Sequence, residues 1–214
     1  MSKKTIRKQQ GPTNAKQQKS QMAYEITNDA IVDQKLNKLP KSIQHEMNGF
    51  SVQNRKDAEK SIARLLELKQ QYPKVPIIYN FITVAYGFLD KEKQNEAIKD
   101  NYQNNPNYLF ARCHYAQLCI HQGEPEKTLA IFEKKFDLKA LYPRRTLFHV
   151  TEYAVFSGVM CAYYNAIGDK EQAQAVYKNM KEMIPDAEET QAVKLLMEPG
   201  FFKKMAAKLV AALE

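Results

Sequence analysis

The sequence predicts an all-α fold in which antiparallel helix pairs stack into an α-α superhelix. Three observations support this prediction. Apolar residues recur at the 3.6-residue spacing of a helix, similar residues return about every 33 positions, and the 214-residue chain contains only seven glycines. The 33-residue interval separates Leu65 from Ile98 and Ile98 from Ile131. Because one helix pair cannot bury its apolar faces alone, repeated pairs are expected to pack on one another.

The clearest predicted pair covers residues 154–185. Gly168 is predicted to end its first helix, since glycine readily adopts the left-handed conformation found there. Asp169 is the expected N-cap of the second helix, with Gln172 three residues later as its capping-box partner. Ala173 follows on the apolar side of this helix, where we expect the two helices to approach closely.

The residues of this pair resemble those of a tetratricopeptide repeat. The match runs through Met160, Cys161, Tyr164, Gly168, Ala173, Tyr177 and Pro185. Ser157 departs from the pattern, because the family has a large residue at the opening position. The resemblance implies a solenoid of helix pairs in which the first helix of each pair lines a concave groove for a protein or peptide partner.

Similar patterns extend the repeat domain over residues 22–214. Three earlier pairs are predicted at about 42–73, 76–106 and 107–142, and capping helices are predicted over 187–213. Residues 29–39 are predicted to form a further short helix near the start. Asp57 and Asp90 are the expected N-caps of two second helices, and Gly123 is the expected turn of the third pair.

The repeat period lengthens before the last pair. Gly123 and Gly168 are 45 residues apart, which exceeds the usual period of about 34 by roughly three helical turns. The sequence around residues 142–145 is therefore expected either to extend the neighbouring helices or to form a protruding loop. An insertion of this kind often lies on the binding face of a repeat array.

The positive charge is concentrated near the start of the chain. Of the formal net charge of +8, residues 1–20 contribute six cations and no acid: Lys3, Lys4, Arg7, Lys8, Lys16 and Lys19. We call residues 1–20 the basic arm, and residues 1–21 are predicted to be a disordered tail. The arm either keeps the protein soluble or contacts RNA, the ribosome or an acidic protein. The nearly neutral remainder argues against a large nucleic-acid-binding face on the folded body.

Several other functional classes lack support in the sequence. The seven glycines are scattered, and neither a His-Glu-x-x-His nor a Cys-x-x-Cys motif occurs, so no enzyme activity, cofactor or metal site is predicted. The three cysteines are expected to be buried and reduced. Since the chain shows neither an 18-residue apolar run nor a secretory signal, no membrane span is expected and a cytoplasmic location is predicted.

The leading functional hypothesis is a non-catalytic scaffold that binds a protein or peptide partner in the groove. The residues implied by the resemblance to line it are Asn80, Val84, Phe110, Cys113, Gln117, His121, Val155, Ala162 and Asn165. This set lacks Lys and Arg, which disfavours a clamp for a C-terminal carboxylate. The alternative is association with RNA or the ribosome through the basic arm, and homodimerisation through end helices also stays open.

Overall fold

The computed structural model describes residues 24–30 and 33–197. Its described part is mostly helical, with ten α-helices packed in sequence order, so the predicted all-α helical repeat fold is confirmed. The predicted tail at residues 1–21 and the predicted C-terminal helix within 201–213 lie outside the described residues.

The helices follow one another along the chain with short connections. They are α1 (Lys41–Gly49), α2 (Arg55–Gln71), α3 (Pro76–Leu89), α4 (Lys91–Asn104), α5 (Leu109–His121), α6 (Lys127–Ile131), α7 (Leu138–Leu141), α8 (Val150–Ala166), α9 (Lys170–Met183) and α10 (Glu188–Leu196). Helix α3 packs between α2 and α4, and α8 packs against α9. The first helices also contact one another, α3 with α5, α5 with α8 and α8 with α10, and so form one layer of the array.

Several helices begin and end at the capping residues that the sequence predicts. Gly168 has a φ of 81° and Gly123 a φ of 80°, both in the left-handed region that favours glycine. The Asp169 carboxylate accepts a hydrogen bond from the Gln172 backbone N–H at 3.1 Å. At the start of α4, the Asp90 carboxylate accepts from the two backbone N–H groups at positions 92 and 93.

The start of α2 differs from the prediction. Asn54, and not Asp57, is the N-cap, and its side-chain oxygen accepts a hydrogen bond from the Asp57 backbone N–H at 3.1 Å. The Asp57 carboxylate in turn accepts from the Gln53 backbone N–H at 3.3 Å. An acidic residue in the first turn of a helix resembles an N-cap in sequence, which explains the three-residue error.

The helix predicted at residues 29–39 is also wrong. Only a 3-10 turn at Leu36–Lys38 forms in the described part of this segment. The Asp33 carboxylate accepts hydrogen bonds from the backbone N–H groups of Lys35, at 2.8 Å, and of Leu36, at 2.9 Å. This local side-chain bonding offers the backbone an alternative to the α-helical ladder.

The insertion before α8 folds back onto the array. Helix α6 ends where Glu133 and Lys134 adopt positive φ values of 54° and 58°, and the short α7 follows. Strand β2 (Leu147–His149) then pairs in parallel with β1 (Glu25–Thr27), so that Ile26 lies opposite Phe148. Since Phe148 is fully buried, the insertion is neither a simple helical extension nor a protruding loop.

Candidate partner-binding face

Helices α3, α5 and α8 each carry partly exposed side chains, which together we call the first-helix face. It consists of Val84, Phe88, Gln117, His121, Ala162 and Asn165. Gln117 lies 33 residues after Val84 and 45 residues before Ala162, so these three occupy equivalent positions on α3, α5 and α8. The large apolar ring of Phe88 is 42% exposed, whereas most other aromatic side chains of the helices are at least half-buried.

The helices beneath this face carry almost no charge. Helix α3 contains no Asp, Glu, Lys or Arg, while six of the fourteen residues of α4 are charged. The one charged residue of α5, Arg112, is buried and pairs with Glu133 at 2.8 Å. The one charged residue of α8, Glu152, pairs with Arg145 at 2.7 Å. Charge is therefore concentrated on the second helices α4 and α9, although α10 of the first-helix layer also carries Glu188, Glu189 and Lys194. The first-helix face itself, on α3, α5 and α8, is apolar and amide-rich.

Most of the residues predicted from the resemblance are at least partly exposed on α3, α5 and α8. Gln117 and His121 are exposed; the half-buried ones are Asn80, Val84, Phe110, Val155, Ala162 and Asn165. The Oδ1 atom of Asn80 is buried and has no hydrogen-bond partner among the described residues.

Cys113 is a wrong prediction. Its side chain is 0% exposed and belongs to the apolar core that α5 shares with α8, so a partner has no access to it. Burial raises the pKa of the Cys113 thiol well above its usual value, which keeps the thiol protonated. His114, the next residue along α5, is partly exposed instead. The sequence alone does not show which side of α5 its neighbour α8 covers, and Cys113 lies on the covered side.

The imidazole of His114 on α5 has lost most of its contact with water. Its Nδ1 atom is buried without a hydrogen-bond partner in the described part of the chain. Burial lowers the pKa of its imidazole from 6.5 to about 4, because the charged form loses its hydration. The ring is therefore neutral at pH 7 and adds no charge to the first-helix layer.

We expect this imidazole to make the protein less stable in mild acid. Since the pKa is lower in the folded than in the unfolded state, the unfolded state binds more protons between pH 6.5 and about 4. The contribution of His114 to stability is thus largest above pH 6.5 and falls as the pH drops through this window. Urea unfolding of the wild type and of His114→Gln from pH 7.5 to 4 measures it, and the variant should show the shallower decline.

His121→Gln provides the comparison for this measurement. His121 lies on the same helix but is exposed, and its pKa is lowered by burial and by Lys91 without the large shift of His114. The substitution at His121 should therefore flatten the pH profile less than the one at His114. Parallel profiles for the wild type and His114→Gln would contradict the assignment.

A second feature, which the sequence analysis missed, is a cleft at the edge of the array. This edge cleft has a volume of about 670 Å³ and lies between β1, the first turns of α8 and the connection from α9 to α10. Apolar side chains form part of its wall, and the carboxylates of Asp186, Glu188 and Glu189 also line it. The only signal in the sequence is the acidic run that starts α10, which resembles an ordinary helix N-terminus.

An ion pair holds the wall of this cleft in place. The Arg145 guanidinium binds both oxygens of Glu152, at 2.8 and 2.7 Å, and lies 4.1 Å from the centre of the Phe148 ring. The Glu152 carboxylate also accepts from the His149 backbone N–H at 3.0 Å, which caps the start of α8. These contacts fix the position of α8 relative to β2.

Neither a membrane-spanning helix nor a metal-binding group is found among the described residues. Within residues 24–30 and 33–197, no helix has both the length and the apolar character needed to cross a membrane. In the same ranges, no group of three His, Cys, Asp or Glu side chains is placed to hold a metal ion. The cytoplasmic location stays a prediction.

Comparison with known proteins gives a partial similarity. Neither a protein-family model nor a solved structure matches the chain. The chain is similar to a mitochondrial pentatricopeptide repeat-containing protein of Arabidopsis thaliana, with 31% identity over 99 residues. The match covers 46% of this chain and only 17% of the length of that relative. Together with the stacked helix pairs, this similarity supports the conclusion that the chain is an all-α helical repeat protein.

Proposed function

We propose that this protein is a non-catalytic scaffold that binds a segment of a protein partner on the first-helix face. The observation that carries the proposal is the low charge of α3, α5 and α8 compared with the second helices α4 and α9. The residues of the face are partly exposed and carry no Asp, Glu, Lys or Arg, and the charged residues of α5 and α8, Arg112 and Glu152, are each engaged in an ion pair. Exposed apolar surface in a soluble protein commonly marks an interaction site.

The chemistry of the face suits a peptide. The exposed Phe88 ring and the smaller side chains of Val84 and Ala162 offer apolar contacts to a partner's side chains. The amides of Gln117 and Asn165 can donate to carbonyl groups and accept from N–H groups of a partner backbone. An extended or helical segment with apolar anchors is therefore the expected ligand.

A nucleic-acid backbone fits this face less well. Binding of phosphates requires Lys or Arg side chains that replace condensed counterions. Helices α3, α5 and α8 together contain a single Lys or Arg, the buried Arg112. The second candidate function, contact with RNA or the ribosome, is favoured by the six cations of the basic arm, and the similarity to a repeat protein is compatible with it as well.

Gln117→Arg should weaken partner binding by at least about tenfold, because it buries an unpaired charge at the centre of the proposed interface. Asn165→Arg, on the neighbouring helix α8, should also weaken partner binding. The measurement is affinity purification of the tagged full chain from native lysate, followed by quantitative mass spectrometry of recovered proteins. Gln103→Arg is the matched control, since Gln103 is exposed on α4 and the charge change is identical.

Two further conditions of the same experiment, ribonuclease treatment and deletion of residues 1–20, distinguish the candidate functions. Partners held by the first-helix face should resist ribonuclease and should persist when residues 1–20 are deleted. Partners lost on deletion and in moderate salt would instead favour RNA or ribosome contact through the basic arm. Equal recovery of all partners by Gln117→Arg, Asn165→Arg and Gln103→Arg would contradict the proposal.

A further inference from the structure

The edge cleft combines apolar walls with an acidic rim. Ile26 of β1, Val150 and Ala154 of α8, and Ile184 supply apolar surface. The rim carboxylates belong to Asp186, Glu188 and Glu189, and no Lys or Arg is among the lining residues. A segment that carries both cations and some apolar groups is complementary to such a surface.

The rim carboxylates have no cationic partner within the described part of the chain. In the same part, other carboxylates such as Glu46 and Glu152 form ion pairs with arginines at 2.7 Å. Glu188 and Glu189 lie in the first turn of α10, where negative charge also interacts favourably with the helix dipole. Asp186 precedes the helix, so an interaction with the helix dipole does not explain its presence in the rim.

We propose that the edge cleft binds the basic arm of the same chain. The arm, residues 1–20, carries six cations and no acidic residue. Its charge is thus opposite to that of the rim, and its aliphatic Ile6 can contact the apolar wall. The arm is also close to the cleft in sequence, because Ile26 and Asn28 line it.

The β-strand pairing holds the attachment point of the arm at the cleft. Tyr24, the first described residue, packs edge-on against Phe148 with ring centres 5.1 Å apart. The Glu25 backbone N–H donates to the Thr146 carbonyl at 2.8 Å, and the next residue, Ile26, lines the cleft. Only residues 21–23 separate the arm from Tyr24, a span of at most about 14 Å. Such a short connection gives the arm an effective concentration in the millimolar range at the cleft.

The other basic segment of the chain is less suited to this cleft. Residues 201–213 contain three lysines, half the number of cations in the arm. They follow α10, whose Leu195 is 50% exposed and offers apolar surface next to them in sequence. Their smaller positive charge makes them less complementary to the acidic rim than the arm is.

Docking of the arm has a functional consequence. Cations that are paired with the rim are not free to contact phosphates. Any binding of RNA or the ribosome through the arm would therefore compete with the cleft, and the folded body would restrain that activity. This inference does not depend on the partner-binding role of the first-helix face.

Limited proteolysis of the full chain with trypsin tests the proposal. The rim variant Asp186→Asn/Glu188→Gln/Glu189→Gln should be cleaved in the arm about tenfold faster than the wild type, since cleavage follows the undocked population. The matched control Glu96→Gln/Glu171→Gln/Glu182→Gln removes three exposed carboxylates, one of them in the first turn of α9. It should leave cleavage of the arm unchanged.

A second variant tests the proposal even if the rim variant does not fold. Met183 is 46% exposed at the cleft, and Met183→Lys adds a cation there while all three carboxylates remain. A lysine in the last turn of α9 is compatible with the helix dipole, so the fold should persist while the arm is released.

Three results would overturn the proposal. The first is unchanged cleavage of the arm in both the rim variant and Met183→Lys. The second is acceleration at Lys203 or Lys204 in place of the arm, which would assign the cleft to residues 201–213. The third is protection that grows with protein concentration, which would mean that the arm of a second copy occupies the cleft.

Discussion

Phe148→Ala should lower the free energy of unfolding by about 3–5 kcal/mol. The Phe148 ring is 0% exposed, packs edge-on with Tyr24 and lies beneath the Arg145 guanidinium. Its removal leaves a cavity that the surrounding rings fill only in part. It also removes the ring that packs against Tyr24 next to β1, so a contact between two segments far apart in sequence is lost. Urea unfolding followed by circular dichroism measures the change.

Leu147→Ala is the matched control for this experiment. Leu147 is the preceding residue of the same strand, but its side chain is 42% exposed. Its truncation should change stability by no more than about 0.5 kcal/mol, as for most surface positions. Similar losses for both variants would show that the burial assigned to Phe148 is wrong.

Ala173→Leu should destabilise the protein by about 1–3 kcal/mol, because three additional carbons have to enter a filled space. Ala173 is 0% exposed on the side of α9 that faces α8. The Cys161 thiol donates a hydrogen bond to the Ala173 carbonyl at 3.4 Å, so the two helices approach closely at this point. The shift of the thermal midpoint, with calorimetric enthalpy, measures the effect.

Two further variants check the cause of this loss. Ala175→Leu makes the same change on the exposed side of α9 and should be nearly neutral. Combining Ala173→Leu with Cys161→Ala should recover part of the loss, because the smaller residue across the interface makes room for the leucine. An unchanged melting midpoint for Ala173→Leu would rule out the close packing of α8 against α9.

Local features of the fold were predictable because each depends on a few neighbouring residues. The left-handed Gly168 and the caps at Asp90 and Asp169 follow from residue types at helix ends. The periodic apolar stripes predicted the helices of the repeat array for the same reason. Asp57 was misassigned by three residues, because two acceptors, Asn54 and Asp57, compete for the same helix start.

The candidate site was predictable only in outline. The residues implied by the resemblance include the exposed Gln117 and the half-buried Ala162, but also the buried Cys113, and the binding role of the first two stays a prediction. Whether Cys113 is buried depends on the angle at which α8 packs on α5, and no pattern within α5 encodes that angle.

The sequence by itself determined most of the helices, their order and the low charge of α3, α5 and α8, since these follow from spacing and composition within short windows. Only the tertiary structure decided that β1 pairs with β2 and that the start of the described chain lies beside an acid-rimmed cleft. The physical reason is that a three-residue strand has no periodicity of its own to detect. Its pairing is stabilised by the burial of Phe148 against Tyr24, a contact between residues more than a hundred positions apart.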